Sequence, residues 1–368
     1  MLLSANFEQD PLAAGWVAQA AEGQAAPSWT DAAGHTGKHC LTATSGQWQS
    51  PLFPVTPCAY YRLEFWSRAG TTENLYALYF YSAAGEQLEA DHYSNVDASG
   101  DWLQHVVYIR AKGKATHARV IFQANGDQLL IDDVSVQAAT HAEAATWAKQ
   151  QIASIPPGHF KPAADRWANL PRTLHRLQEG GTLRVVMLGD SIINDTGSSP
   201  WDVLVEKADP KAHLEVITAV SGGKGCWYYR EENRVQSYVL DYAPDLLIIG
   251  GISQKGDLAA IREVIAQVRA KANPEIVLMT GAFGKVTDPR TVPGGYTGEP
   301  DPDGPGYREG MRALASEEGA GFFDLRGAWA QYMLGVTEPM EWFHRDPVHA
   351  NERGRAIAAQ LLSGYFTP

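Results

Sequence analysis

The chain has 368 residues, 45% of them hydrophobic, enough for two globular domains with separate cores. A formal net charge of −12 argues against a surface built for nucleic acid. No apolar run approaches the roughly 18 residues of a membrane-spanning helix, and no basic stretch followed by an apolar core opens the chain as a signal peptide would.

The first part of the chain is patterned for strands. Residues 60–66, 75–81, 103–109 and 118–122 alternate in polarity or are rich in aromatics, with Gly and Asn turns between them, which predicts an all-β sandwich or jelly roll over residues 1–137. The opening Ala5-Asn6-Phe7-Glu8 and the closing residues 130–136 resemble the ends of jelly rolls of the carbohydrate-binding-module kind. Such folds bring both ends together, and some hold a structural calcium there. Glu8, Asp132 and Asp133 supply the hard oxygen ligands that this ion takes, so a structural calcium is expected near them. The many Trp and Tyr residues build the sandwich core or a platform on which sugar rings stack. Of three cysteines, Cys40 and Cys58 form one disulfide or remain two small thiols, and Cys226 has no base near it in sequence and reads as a packing residue.

Residues 138–180 read as a helical linker: 139–155 are helix-prone, Pro156-Pro157-Gly158 interrupts them, and 166–179 suggest a second helix. From 181 to 368 the pattern is α/β. Val185, Val186, Met187 and Leu188 make a continuous apolar run of the kind found in a buried parallel strand, and it stops at Gly189-Asp190-Ser191. A hydroxyl there stands among the unpaired N–H groups of a helix N-terminus, where it can serve as a nucleophile or as part of a cap. Residues 214–220 read as the next strand and lead into Ser221-Gly222-Gly223-Lys224-Gly225. Strands at 245–249, 276–279 and 321–325 alternate with helices at 258–272 and 307–319, predicting a three-layer α/β domain with a parallel sheet. Between these, 286–306 is dense in Pro, Gly and Asp and borders the carboxyl edge of the sheet or is a plain surface loop; its Asp301-Pro302-Asp303-Gly304 lacks the ligand spacing of an EF-hand.

Near the end, Asp346 and His349 stand three positions apart in a turn begun by Pro347, just before a helix at 352–362. The carboxylate can orient one imidazole nitrogen while the other faces a serine, giving the order Ser, Asp, His. With Gly189-Asp190-Ser191 and Asp346-Pro347-Val348-His349 together, residues 182–367 resemble the SGNH or GDSL hydrolase superfamily. That resemblance implies Ser191 as nucleophile, His349 as base and Asp346 as its orienting partner, with no catalytic cofactor. It implies an oxyanion hole formed by the N–H groups of Ser191 and of Gly223, with Gly222 as the alternative. The family's third block is usually G-x-N-D, but this chain reads Gly250-Gly251-Ile252-Ser253-Gln254. The donor Asn is missing, and Ser253, or alternatively Gln254, is expected to replace it.

Trp227 and Tyr228 beside the glycine turn, and Trp342 before the Asp–His pair, suit a sugar substrate, and Lys224, Lys255 and Arg345 could meet an anionic substituent. The expected activity is removal of acyl groups, acetyl first, from an oligosaccharide or polysaccharide. The alternatives are an acyltransferase or other hydrolase on the same scaffold, or a noncatalytic glycan-binding protein. The substrate class implies a secreted or periplasmic protein whose signal peptide is absent from this chain, with the cytoplasm as the other option. Neither a nucleic-acid partner nor a membrane span is expected, and the oligomeric state is open.

Overall fold

The computed structural model describes residues 1–368 apart from 32, 33, 90, 286, 287, 292–303 and 305. The chain divides into two compact units, Met1–Trp147 and Ala148–Pro368. The proline- and glycine-rich segment at 286–306, with its Asp301-Pro302-Asp303-Gly304 motif, lies largely outside the described residues.

The first unit is an antiparallel all-β, jelly-roll-like domain. Three short strands, β1 (Leu3–Ala5), β2 (Val17–Gln19) and β3 (Ser28–Thr30), precede β4 (Cys40–Gln49) and β5 (Phe53–Pro54). The longer β6 (Tyr60–Ala69) and β7 (Leu75–Tyr81) follow, then β8 (His92–Asn95), β9 (Ser99–Arg110) and β10 (His117–Ala139). The last strand organises the rest: residues 117–125 pair with β7 and β4, and 129–139 pair with β6 and β1. A bulge between Asn125 and Leu129 lets one strand serve both regions. Alternation of buried and half-buried positions from Tyr61 to Ala69 in β6 is the period-two signature that the sequence carried. Phe65, Phe80 and Phe122 are fully buried at the centre, with the Phe65 and Phe122 rings 5.0 Å apart edge to face. None of the three cysteines forms a disulfide; burial pushes Cys40 up to about 11 and raises Cys226 further still, so neither is a nucleophile at neutral pH.

The stretch read as a linker begins with the tail of β10 and carries α1 (His141–Ala153) and α2 (Pro171–Glu179). The second helix starts five residues later than the sequence suggests. Pro171 occupies its first turn, where a missing N–H is harmless, and the preceding Leu170 is held out of helical geometry.

The second unit is built on five parallel strands: β11 (Gly181–Gly189), β12 (Ala212–Val220), β13 (Leu246–Ile249), β14 (Glu275–Met279) and β15 (Gly321–Phe323). Their order across the sheet is β12-β11-β13-β14-β15. Val185, Val186, Met187 and Leu188 in β11 and all four residues of β13 are 0% exposed, so both faces of the sheet are covered. The α-helices between these strands are α3 (Ser191–Ser198), α4 (Trp201–Ala208), α5 (Cys226–Tyr229), α6 (Arg234–Tyr238), α7 (Leu258–Arg269) and α8 (Tyr307–Glu317), and α9 (Leu325–Leu334) and α10 (Glu352–Phe366) follow the last strand. Strand order reverses between β11 and β13. In an open α/β sheet this is where a crevice opens beyond the strand ends and ligands bind. Among the described residues no helix is long and apolar enough to cross a membrane.

Candidate active site

Ser191 stands at that reversal, as the first residue of α3 and partly exposed. A helix start leaves four N–H groups without intrahelical acceptors. Here the Asp190 side chain takes two of them: its Oδ1 accepts from Ile192 N (3.0 Å) and Ile193 N (3.3 Å), while its backbone carbonyl accepts the first intrahelical bond, from Asn194 N (3.0 Å). The N–H of Ser191 is not among those that the Asp190 side chain takes. Asp190 is therefore a cap, as its residue type suggests, but its other oxygen reaches across the sheet. Oδ2 accepts from Ile252 N at 2.7 Å, and the Ser253 side chain hydrogen-bonds the same carboxylate. Burial raises the Asp190 carboxyl against the lowering pull of these four donors. Gly251 lies against it at φ +108, and a Cβ there would come within 2.6 Å of Asp190 Oδ1, so this position requires glycine.

His349 brings the far end of the chain to this point. Its Nε2 is 2.8 Å from Ser191 Oγ, and its Nδ1 is 2.8 and 2.9 Å from the two Asp346 oxygens. A carboxylate on Nδ1 places the proton there and leaves Nε2 bare, ready to accept from the serine hydroxyl. Asp346 also accepts from the N–H groups of Val348 (3.0 Å) and His349 (2.9 Å). Burial alone would raise the Asp346 carboxyl, but the His349 hydrogen bond and these two N–H donors outweigh it and hold the group well below the usual carboxylate range.

The loop carrying this pair is stapled to the helix carrying Ser191. Arg345 N donates to His349 O at 3.0 Å, and the Arg345 guanidinium binds Ala350 O and, at 2.8 Å, Asp195 Oδ2. Asp195 is one helical turn after Ser191 and takes a second guanidinium from Arg355 at 2.9 Å. Burial works against the charge on Asp195, but Arg345, Arg355 and His349 keep its carboxyl below the ordinary value. Arg345, a sequence candidate for anion recognition, is thus turned inward, with 10% of its side chain exposed. His344 is buried beside it between Met340 O and Phe283 O, each 2.8 Å from a ring nitrogen.

The glycine turn follows β12. Tyr229 ties it to β11, the strand that leads into Ser191, since its hydroxyl accepts from Ser221 N (2.7 Å) and donates to Gly189 O (2.5 Å). Lys224 N closes the turn onto Ser221 O, leaving Gly222 and Gly223 exposed at its tip. Gly223 has φ +68, and Gly222 already has a partner. Of the two side chains expected in place of the missing Asn, Gln254 is buried, donating to Gly250 O and accepting from Cys226 N, both at 2.8 Å. Ser253 is engaged with Asp190. Both side chains thus bind the strand ends together.

Trp227 donates its Nε1–H to Ser253 O at 2.8 Å, which sets its ring beside the loop after β13. Tyr228 packs edge-on against Trp227 and Tyr229, with Arg234 stacked 3.8 Å from its centroid. Trp342 lies under the Arg353 guanidinium and against Phe343, at the base of the Asp–His loop. Asp190, Asp195 and Tyr229 were not singled out from sequence in these roles. The first reads as a cap, and the other two lack any local pattern.

The carboxylates expected to hold calcium do not gather their oxygens at one point. Glu8 accepts from the N–H groups of Lys38 and His39 (both 2.8 Å), Asp132 from those of His35 and Thr36, and Asp133 binds the His35 ring and the Thr36 hydroxyl. They form no metal-ligating group of three among the described residues. Backbone N–H groups meet Glu8 and Asp132, and the His35 ring and Thr36 hydroxyl meet Asp133, so each carboxylate has donors within the protein.

No protein-family model matches the sequence, and no curated protein matches it. Among solved structures, the chain is similar to a two-domain esterase (CEX) active on acetylated mannans, co-crystallised with mannopentaose, at 18% identity and a TM-score of 0.40. That match covers 54% of this chain and 53% of the other, so the chain spans about half of the esterase's length. The CBM22-1 xylan-binding domain of Paenibacillus barcinonensis Xyn10C matches at 13% identity over 37% of this chain and 93% of the other, with a TM-score of 0.28. The enzymatically active domain of bacteriophage CBA120 tailspike protein 4 matches at 12% identity over 34% of this chain and 19% of its own length, with a TM-score of 0.30.

Proposed function

We propose that the protein is a serine esterase of the SGNH type that removes acyl groups, acetyl first, from a carbohydrate. The observation that carries this reading is the unbroken hydrogen-bonded series Asp346, His349, Ser191 at the point where strand order reverses. Ser191 Oγ attacks the ester carbonyl carbon as its proton passes to His349 Nε2. The tetrahedral oxyanion faces the N–H groups of Ser191 and Gly223. Collapse breaks the bond to the sugar oxygen, which takes the proton from His349 and leaves. Water then repeats the sequence on the acyl-serine and releases the acid. Asp346, ionised and fixed by its own backbone donors, orients the imidazole and stabilises its charged form. Incubation with acetylated oligosaccharides, aryl acetates and unacetylated glycans tests the reading. Release of acetate from the first two supports it, and binding of glycan with no ester cleavage would replace it with a noncatalytic role.

The hole proposed here has two backbone donors, because Ser253 and Gln254 are occupied. Ser253→Ala should destabilise the fold by about 1–3 kcal/mol through a lost partner for a buried carboxylate. Its turnover on an aryl acetate should stay within roughly tenfold of the parent. A fall of about 100- to 1,000-fold in a folded Ser253→Ala or Gln254→Ala variant is the signature of a lost oxyanion donor and would return that side chain to the hole.

The β-domain is proposed to hold glycan near the esterase. Residues 148–368 alone should cleave a soluble aryl acetate as the complete chain does, and the complete chain should exceed them on an acetylated polymer through effective concentration. Equal rates on polymer would leave the first unit a structural role only.

A further inference from the structure

The hydroxyl of Tyr229 is committed to the backbone at two strand ends. The side chain is fully buried at the end of α5, its oxygen accepts from Ser221 N at 2.7 Å, and its proton goes to Gly189 O. Burial raises the phenol, so it remains a donor at neutral pH. Gly189 closes β11 two residues before Ser191, and Ser221 opens the glycine turn two residues before Gly223. One hydroxyl is thus bonded to both segments that carry the backbone donors of the proposed oxyanion hole.

The turn takes its position from that anchor. Ser221 N also approaches Gly189 O at 3.2 Å, and Lys224 N returns to Ser221 O at 3.1 Å, so Gly222 and Gly223 form a tip carried by Ser221. Past the tip the chain enters α5 through Gly225, where a Cβ would lie 2.5 Å from Ser253 O. Cys226 N and Trp227 Nε1 then donate to Gln254 Oε1 and Ser253 O, both at 2.8 Å, which fixes α5 to the loop after β13. The Tyr229 ring packs edge-on against Tyr228 and Tyr238, with centroids 5.3 and 5.0 Å away, and these contacts do not need its hydroxyl.

We propose that Tyr229 is a positioning residue for the reaction: its hydroxyl sets the spacing between the Ser191 and Gly223 N–H groups and so tunes the oxyanion hole without touching substrate. The proposal rests on the esterase reading. Donors stabilise an oxyanion when they stand about 2.7–3.1 Å from the oxygen as it forms. A turn released from its anchor therefore weakens the transition state and leaves substrate binding nearly as it was. Because Ser221 N keeps Gly189 O as an acceptor, loss of the hydroxyl orphans no amide at the strand end, and the fold should persist.

The test is Tyr229→Phe in the full chain, assayed on an aryl acetate. The expected result is a fall in kcat of about 10- to 100-fold with KM close to the parent. Affinity for an arylboronic acid, which forms a tetrahedral adduct on a serine, should fall by a similar factor. The thermal midpoint should drop by about 2–4 °C, the size of one neutral hydrogen bond. Ile276→Val, a buried change near the start of β14, should match that drop and leave kcat at the parental value. In the parent, the Ser221 amide should be protected from hydrogen exchange before any inhibitor is added, and the Gly223 amide should gain protection when the boronate binds. An unprotected Ser221 amide in the parent overturns the proposal whether or not the variant folds. Parental kcat and boronate affinity in Tyr229→Phe, or a loss of kcat that Ile276→Val reproduces, also overturn it and leave the esterase standing. No hydrolysis of any ester by the parent removes the esterase reading and this proposal with it.

Discussion

Ser191→Ala and His349→Ala are each expected to lose turnover on an aryl acetate by about 10⁴- to 10⁶-fold, with circular dichroism and thermal midpoint close to the parent. The size follows from geometry. With Ser191 Oγ 2.8 Å from His349 Nε2, attack and proton transfer are one event, so deleting either group removes both. The two changes together should cost little more than either alone. Asp346→Asn is expected to fall by about 10⁴-fold, because an amide on Nδ1 permits the wrong tautomer and no longer stabilises an imidazolium. The circular dichroism spectrum and thermal midpoint of each variant separate these losses from unfolding. A folded Ser191 or His349 variant with near-parental rates would remove the proposed triad.

The second large effect is expected away from the reacting atoms. Asp195 is 3% exposed between Arg345 and Arg355, and Arg345 is the residue before Asp346. Breaking a buried pair by removing one partner leaves the other charge uncompensated, so Asp195→Asn is expected to lower unfolding free energy by about 3–5 kcal/mol. Catalysis should also suffer. The same ion pair ties the Asp–His loop to the helix that carries Ser191, and a displacement on the order of 1 Å costs roughly 100-fold in rate. Arg345→Met should show both losses. Arg345→Lys should regain part of them, because one nitrogen makes the contacts to both Asp195 and Ala350 O. Denaturant melts and kcat on a small ester read the two effects separately. A stable Asp195→Asn variant with unchanged kcat would show that the pair does not position the loop.

Much of this was legible in the chain because the determinants are local. A strand buried on both faces needs an unbroken apolar run, so residues 185–188 identify themselves, and an abrupt Gly189-Asp190-Ser191 after them marks a turn into a helix. Asp346 and His349 are three apart, within reach across one turn, so their partnership is implied by spacing. Alternation along residues 60–66 exposes β6 for the same reason. By contrast, Ser45 and Gly46 put polar and flexible positions inside β4, and it is a strand because β10 pairs with it on both sides of the bulge.

What the tertiary structure decided is everything that depends on which distant segments meet. His349 finds Ser191 across 158 positions, Asp190 finds Ile252 N across 62, and Asp195 meets Arg345 and Arg355 across 150 and 160. Strand order β12-β11-β13-β14-β15 brings these segments to one edge, and no residue pattern within a strand encodes its neighbours. The same applies to Ser253, Gln254 and Arg345. Each residue type permits a role at the substrate, yet a buried carboxylate or carbonyl left without a donor is costly, and these side chains satisfy such groups inside the fold.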